Sequence, residues 1–130
     1  VARMLNEESG LLGVSGISDD VRDLAASADP RAREALDLFA YRIVREAGSL
    51  IAALGGLDTL VFTGGIGEHS NWVRAAVCRG LAFAGIALDA DANTRDEAVI
   101  GHRSSTVEVR IVPADEEHEI AFLTEGLIQE

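Results

Sequence analysis

Residues 63–70 combine three glycines with a glutamate and a histidine in the sequence TGGIGEHS. An apolar run precedes them and an amphipathic stretch follows them. Glycine permits positive backbone φ angles and lacks a Cβ atom, so a ligand can approach the main chain closely. The free amides at the start of a following helix add partial positive charge. These features are typical of a nucleotide-binding loop, although a tight turn that needs glycine only for steric reasons would have the same sequence.

Two phosphate-binding motifs can be compared with these residues. A P-loop has lysine and then serine or threonine after its glycines, whereas Glu68 and His69 follow here, so this motif is excluded. A dinucleotide-binding turn fits better, because GIGEHS at 65–70 nearly matches G-x-G-x-x-G and Asp89 follows at the distance of a ribose-binding acid. Against it, serine replaces the third glycine and Glu68 would place negative charge beside a pyrophosphate. A loop at the adenosine end of a nucleotide would tolerate Glu68, whose carboxylate can accept hydrogen bonds from ribose hydroxyls.

The elements that lead into the glycines are predicted from the spacing of apolar residues. A long amphipathic helix is expected over residues 29–56, with Asp29 as its N-cap, Pro30 in its first turn and two glycines at its end. The apolar run 59–62 does not alternate, which predicts a strand buried on both faces. The face of the long helix that we expect to be buried consists of Ala32, Leu36, Phe39, Ile43, Ala47, Leu50 and Leu54.

A second helix is expected to follow the glycines, from about residue 71 to residue 84. Ser70 can cap it, and its apolar face leaves Arg74 and Arg79 on other sides. Cys78 is the one cysteine in the chain and falls in a stretch that we expect to be buried. It is therefore predicted to be a free structural thiol in a reducing compartment.

The remaining segments complete an α/β pattern. Residues 88–97 are rich in turn-forming residues, residues 107–112 alternate like a half-buried strand, and a last short helix is expected over residues 116–128. The order of helix, strand, glycine-rich turn, helix, strand and helix predicts helices packed on a sheet. Open sheets of this kind bind ligands at the carboxyl ends of their strands, and residues 63–70 follow such an end.

The composition limits the class of protein. The chain has 130 residues, of which 48% are hydrophobic, and this predicts one soluble domain. Twenty-two acidic residues against eleven basic ones give a formal net charge of −11, which disfavours binding to nucleic acid or to anionic lipid. No stretch approaches the roughly 18 consecutive apolar residues of a membrane-spanning helix. The first ten residues do not resemble a signal peptide.

Three stretches together resemble one protein family. SGLLGVSGISDDVRDL at 9–24, LVFTGGIGEHSNWVR at 60–74 and IVPADEEHEIA at 111–121 are similar, in order and spacing, to the carboxyl-terminal third of the acetate kinases. ALDLFAYRI at 35–43 resembles the same family. Nearly the whole chain is covered by the resemblance. Because acetate kinases are much longer, the chain is expected to be a carboxyl-terminal fragment that begins inside a helix.

The resemblance implies a fold, an activity and a set of site residues. The fold is that of the acetate and sugar kinase, actin and heat-shock chaperone superfamily, in which two ribonuclease-H-like domains enclose a nucleotide; residues 1–130 would belong to the carboxyl-terminal domain. The family transfers the γ-phosphoryl group of ATP to acetate with Mg²⁺, giving acetyl phosphate and ADP, and acts as a cytoplasmic homodimer. Glu116 matches the magnesium-associated glutamate of the family. The residues that match its nucleotide contacts are Asp20, Val21, Arg22, Gly65, Ile66, Gly67, Glu68 and His69, the last standing where asparagine is usual.

Several alternatives remain beside this interpretation. Asp20 and Arg22 can simply cap and charge a first helical turn, and Glu116 can be an acid at a helix N-terminus. His102 and His118 are expected to lie at the surface. The family's catalytic residues precede this segment, so the chain is expected to supply the adenosine half of the site and to be inactive by itself. A propionate or butyrate kinase, or a stand-alone nicotinamide-binding module that uses Asp89, would be the alternative functions.

Overall fold

The computed structural model of the chain describes residues 9–115 and residue 124. Helices precede the first strand, lie between the two strands, and pack on one side of the sheet that the strands form. This is the α/β architecture that the order of predicted elements indicates. The helices are α1 (Gly10–Ser15), α2 (Val21–Ala26), α3 (Pro30–Leu54), α4 (Gly64–His69), α5 (Asn71–Gly80) and α6 (Ala90–Thr94), and the strands are β1 (Thr59–Phe62) and β2 (Glu108–Ile111).

Helix α3 confirms the prediction of a long amphipathic helix. Asp29 caps it by accepting the Arg31 amide, and Gly55 ends it in the left-handed conformation. One face of its first half is buried where α1, α2 and α5 pack against it. The predicted apolar face is wrong at its end, however, since Leu50 and Leu54 are 64% and 73% exposed. In the same part of α3, Ala47 and Ile51 are partly buried and pack against the core.

The two strands pair in parallel, with Thr59 opposite Glu108 and Phe62 opposite Ile111. Strand β2 alternates between exposed and buried residues, so the prediction of a half-buried strand is confirmed. Strand β1 is not buried on both faces as predicted, since Val61 on its outer face is 47% exposed. Within the described part of the chain the helices cover only one face of this sheet. The parallel pairing brings the carboxyl ends of both strands to the same edge.

The segment after β1 differs from the prediction of a glycine-rich turn, because it forms helix α4. Gly64 has φ 70°, which lets the chain turn sharply from the strand into this helix. Helix α5 follows at once, and Ser70 caps it as predicted by accepting the Val73 amide at 3.3 Å. It is shorter than predicted, because the α-helix ends at Gly80 and residues Ala82–Ala84 form a 3-10 turn.

The hydrophobic core lies between the helices and the covered face of the sheet. Cys78 is buried in it, as expected. Residues 88–97 include helix α6 within the predicted turn-rich segment. The helix predicted over residues 116–128 lies outside the described residues, apart from residue 124, which is helical. Among the helices described, none has the length and apolar character needed to cross a membrane. The largest core side chains without exposed surface include Leu24, Val77, Leu81, Ile100 and Val109.

Candidate functional site

A cavity of about 680 Å³ lies where the N-terminal part of α2 faces α4 and the start of α5. This volume is within the range of small-molecule sites in proteins, about 300–1,000 Å³. One wall is formed by Asp19, Asp20, Val21, Arg22 and Ala25, and the other by Gly65, Ile66, His69, Ser70, Asn71 and Trp72. The cavity therefore joins two segments, 19–25 and 65–72, that are distant in sequence.

Six of the eight residues that the resemblance implied as nucleotide contacts line this cavity. The two that do not are Gly67 and Glu68, although both belong to α4 with the others. The fold thus brings together the two groups of residues that the sequence motifs had singled out separately. The six that line it are Asp20, Val21, Arg22, Gly65, Ile66 and His69.

Side-chain hydrogen bonds shape the turn that leads to the first wall. Ser15 is buried, and its Oγ accepts the amides of Ile17 at 3.0 Å and Ser18 at 3.4 Å. The Oγ of Ser18 accepts the amide of Asp20 at 3.0 Å. Short hydroxyl side chains favour such local bonds to the backbone. The turn therefore holds Asp20 at the start of α2 and at the edge of the cavity.

Asp20 performs the capping role that was the alternative to ligand contact. Its Oδ1 accepts the Arg22 amide at 2.8 Å, and its Oδ2 lies 2.5 Å from Nη2 of the same arginine. The side-chain hydrogen bond from Arg22 lowers the pKa of Asp20 to about 2, so the carboxylate is ionised at neutral pH. The Arg22 side chain is 85% exposed. It therefore remains an accessible cation at the cavity, and capping and ligand contact are compatible.

Gly67 fixes where α4 can lie. A Cβ atom on Gly67 would be 3.2 Å from the carbonyl carbon of Phe62, the last residue of β1. Contacts of this length are tighter than most in folded proteins, so only glycine lets the helix lie directly on the strand end without displacement. This close approach sets the position of the cavity wall that α4 provides.

Glu68 has a backbone partner within the chain. Its Oε1 accepts a hydrogen bond from the backbone amide of Ala114 at 2.9 Å. The carboxylate thus joins α4 to the segment after β2, and the contact with ribose hydroxyls stays a prediction. The sequence reasoning missed this role because the partner lies 46 residues away.

Trp72 lines the cavity but was not predicted as a site residue. The guanidinium carbon of Arg33 lies 5.0 Å from the centre of its ring, which is within the distance of a cation–π contact. The signal that could have identified Trp72 is its position as the one tryptophan of the chain, two residues after the Ser70 cap and the loop motif. With Val21, Ala25 and Ile66, its ring gives the cavity an apolar side.

Arg74 was predicted to lie off the apolar face of α5, and the structure shows instead that it is fully buried. Its guanidinium donates hydrogen bonds to the carbonyls of Gly67 and Glu68 and to groups of residues Asn93 and Asp96. Helical spacing alone could not identify these distant partners.

Asp89 does not occupy a ribose-binding position. Its Oδ1 caps α6 by accepting the amides of Asp91 at 3.0 Å and Ala92 at 2.9 Å, and it is not among the residues that line the cavity. The dinucleotide-binding interpretation needs Asp89 itself beside the ligand, so this geometry does not support it. His102 bonds to Ser104 at the surface through Nδ1, as expected for a surface histidine, and His118 lies outside the described residues.

Magnesium would need oxygen ligands in this region. In residues 9–115 and at residue 124 no three histidine, cysteine, aspartate or glutamate side chains are grouped closely enough to hold a metal ion. Glu116, which the resemblance associates with magnesium, lies outside the described residues. The described carboxylates therefore do not fit a metal site by themselves.

The fold and the cavity at the strand ends define an α/β protein similar to small-carboxylate kinases. The structure is similar to the crystal structure of Porphyromonas gingivalis acetate kinase, with a TM-score of 0.87 and 39% identity over 98% of this chain and 33% of that chain. It is also similar to the propionate kinase of Francisella tularensis, with a TM-score of 0.82 and 34% identity over 89% of this chain and 30% of that chain.

Residues 1–122 match the model of the acetokinase family, and the chain belongs to this family. It is 58% identical over 120 residues to the acetate kinase of Rhodopseudomonas palustris strain TIE-1, a match that covers 91% of this chain and 30% of the relative. It is 50% identical over 122 residues to the propionate kinase of Citrobacter rodentium, covering 92% of this chain and 30% of that protein. The chain thus spans about a third of the length of the relatives it matches. The family and the fold implied by the sequence motifs are confirmed.

Proposed function

We propose that this chain supplies the adenosine side of the nucleotide site of an acetate kinase. The whole enzyme would transfer the γ-phosphoryl group of ATP to acetate reversibly, giving acetyl phosphate and ADP. One observation carries the proposal: residues from both groups that match the family's nucleotide contacts line one cavity, whose volume is in the range of small-molecule sites. The proposed contacts are Asp20, Val21, Arg22, Gly65, Ile66 and His69, with Gly67 and Glu68 holding the helix that presents the last three.

Each side of the cavity has a chemistry suited to part of the nucleotide. Val21, Ile66 and Trp72 offer apolar and aromatic surface for a purine base. Arg22 offers an exposed positive charge, oriented by Asp20, to the polar part of the ligand. His69 can donate one hydrogen bond, as the amide usual at its position would. Catalysis of phosphoryl transfer relies mainly on positioning and charge neutralisation, so binding the nucleotide in one orientation is the chemical contribution of this chain.

The catalytic residues are proposed to belong to the rest of the enzyme, so this chain alone should be inactive. Magnesium, when bound near Glu116, would neutralise charge on the transferring phosphate. We further propose that the enzyme acts in the cytoplasm as a homodimer, without nucleic acid or membrane partners. The acidic composition, with a net charge of −11, disfavours binding to nucleic acid and to anionic lipid.

Propionate is the second candidate acyl substrate. The chain is 50% identical to a propionate kinase, close to its similarity to several acetate kinases. The acyl site is proposed to lie in the rest of the enzyme, so this chain does not distinguish acetate, propionate and butyrate. The comparison that decides between them is kcat/KM for each carboxylate, measured on the enzyme that contains this chain.

A chimera tests the proposed function. The segment of the Rhodopseudomonas palustris acetate kinase that matches this chain would be replaced by this chain, and acetyl phosphate formation would be measured. We expect an active chimera, ADP binding by the 130-residue chain, and no acetyl phosphate from that chain alone. An Ile66→Asp chimera should lose nucleotide affinity, whereas Arg42→Gln, on the exposed side of α3, should not.

Two results would contradict the proposal. The first is acetyl phosphate formation by the 130-residue chain at the rate of the whole relative. The second is tight NAD binding that is lost on Asp89→Ala, together with no response to ADP.

A further inference from the structure

Among the residues that the structure describes, Arg74 is the one charged side chain that is buried. It projects from the first turns of α5 and has no exposed surface. Burying an unpaired charge is costly, and a buried guanidinium therefore needs partners for its donors. The partners of Arg74 belong to two segments, one before α5 in sequence and one after it. None of these partner residues lines the cavity.

One set of partners is the end of α4. Nη1 of Arg74 donates to the carbonyl of Gly67 at 2.9 Å and to the carbonyl of Glu68 at 2.7 Å. The last carbonyls of a helix lack partners within the helix, and a six-residue helix has few internal bonds to hold its shape. Arg74 satisfies two of these carbonyls at once. Those carbonyls lie between Ile66 and His69, the α4 side chains that face the cavity.

The other set of partners is the segment that follows α6. Nε of Arg74 donates to Oδ1 of Asn93 at 2.7 Å, and Nη2 donates to the carbonyl of the same residue at 2.8 Å. Nη2 also pairs with the carboxylate of Asp96, which supplies the opposite charge. Asn93 in turn donates through Nδ2 to the carbonyl of Asn71 at 2.9 Å. The arginine thus joins α4 to a buried asparagine and a carboxylate from a distant segment.

We propose that Arg74 is a positioning residue for the nucleotide site. The inference rests on the proposed function, because it concerns how the same cavity keeps its shape. Gly67 lies against the end of β1 on one side of α4, and Arg74 binds the carbonyls at its end. Without the arginine, α4 keeps the strand contact but loses the bonds that set the orientation of Ile66 and His69 toward α2. Nucleotide affinity would fall, although no atom of Arg74 lines the cavity.

The test uses the active chimera and two arginine-to-lysine changes in the same helix. Arg74→Lys keeps the charge but replaces the five-donor fork with one ammonium group, which cannot bind both segments at once. We expect the KM for ATP to rise about tenfold, with the KM for acetate within about twofold of the starting enzyme, since effective positioning depends on sub-ångström placement. Arg79→Lys changes an exposed arginine of α5 and should leave both constants unchanged.

Hydrogen exchange separates positioning from a purely structural role. In Arg74→Lys, amide exchange should accelerate at residues 64–71 and remain slow in α3. Faster exchange throughout the chain with an unchanged KM for ATP would overturn the proposal, as would a folded variant with normal nucleotide affinity. If Arg74→Lys does not fold, Asp96→Ala removes one partner on a half-exposed residue, and a KM for ATP unchanged by it would overturn the proposal too. Because the unmutated chimera must first be active, an inactive chimera would instead contradict the proposed function.

Discussion

The carboxylate of Glu68 and the backbone amide of Ala114 form a hydrogen bond of 2.9 Å between α4 and the segment that follows β2. The two strands are parallel, so their carboxyl ends lie at one edge of the sheet and the segments that leave them meet there. Glu68 is thereby directed to the backbone rather than to the cavity that its neighbours line. We therefore propose that the side chain that best distinguishes this segment from a P-loop holds α4 in position.

Two substitutions at Glu68 should therefore have different effects. Glu68→Gln keeps an oxygen that can accept the Ala114 amide and should leave the KM for ATP of the chimera within about twofold. Glu68→Ala removes the acceptor, and a hydrogen bond of this kind contributes about 0.5–1.5 kcal/mol, so the KM should rise up to about tenfold. Steady-state kinetics at saturating acetate measures both. If Gln is as damaging as Ala, the negative charge itself contacts the ligand, and the positioning role is wrong.

Trp72 provides a direct signal for ligand binding. It is the one tryptophan of the chain and lines the cavity, with Arg33 near its ring. ADP should change its fluorescence in the 130-residue chain, and the titration gives Kd. Stacking of a base on an aromatic ring contributes about 1–3 kcal/mol, so Trp72→Ala should weaken ADP binding by about fivefold or more, with Trp72→Phe much closer to the original. If calorimetry gives a Kd for ADP that Trp72→Ala does not change, the Trp72 ring does not contact the ligand.

Local sequence signals predicted the structure correctly where the feature depends on only a few neighbouring residues. Asp29 and Pro30 at one end and Gly55 at the other predicted the bounds of α3, and the structure has them within a residue or two. The alternation that predicted β2 reflects burial on one face, because Val109 and Ile111 belong to the core while Glu108 and Arg110 are exposed. These features depend on the chain near them and not on distant partners.

Features that depend on distant partners were missed or wrong. The glycines predicted a turn, but Gly64 and the close contact between Gly67 and Phe62 allow a helix at the strand end. Arg74 was assigned to an outer face because helical spacing contains no information about Asn93 and Asp96, 19 and 22 residues away. The grouping of residues 20–22 with residues 65–69 came from the family resemblance, since no local pattern connects them.

The buried thiol of Cys78 should make the folded chain less stable at alkaline pH. Burial raises the pKa of its thiol from 9.0 to about 11 in the folded chain, with the charge of Arg74 opposing the shift. The pKa of the Cys78 thiol is higher in the folded chain than in the unfolded chain. Burial of the neutral thiol therefore contributes its full stability below pH 9.0, and this contribution is lost as the pH rises toward 11. Urea unfolding of the wild type and of Cys78→Ala should show a larger decline between these pH values in the wild type.

Thiol reactivity checks the same feature independently. At pH 8 the folded chain should react slowly with a disulfide reagent, because the thiolate is the reactive form and little of it is present. In denaturant one thiol per chain should react rapidly. Rapid reaction of the folded chain would show that Cys78 is accessible or that its pKa is not raised.

Replacing each of two helical glycines by alanine should change the free energy of unfolding in opposite directions. A Cβ on Gly80 would lie 2.5 Å from Cγ2 of Val44, because α5 and α3 pack closely there, whereas a Cβ on Gly48 would be 4.0 Å from the nearest atom, Cζ of Phe83. Gly80→Ala should lower the free energy of unfolding by about 1–3 kcal/mol through overpacking. Gly48→Ala should raise it by about 0.5–1 kcal/mol, since alanine favours a helix. Urea unfolding of both variants measures the difference, and Val44→Ala should reduce the cost of Gly80→Ala in a double-mutant cycle. A Gly80→Ala variant as stable as the wild type would mean that the two helices are farther apart than the structure has them.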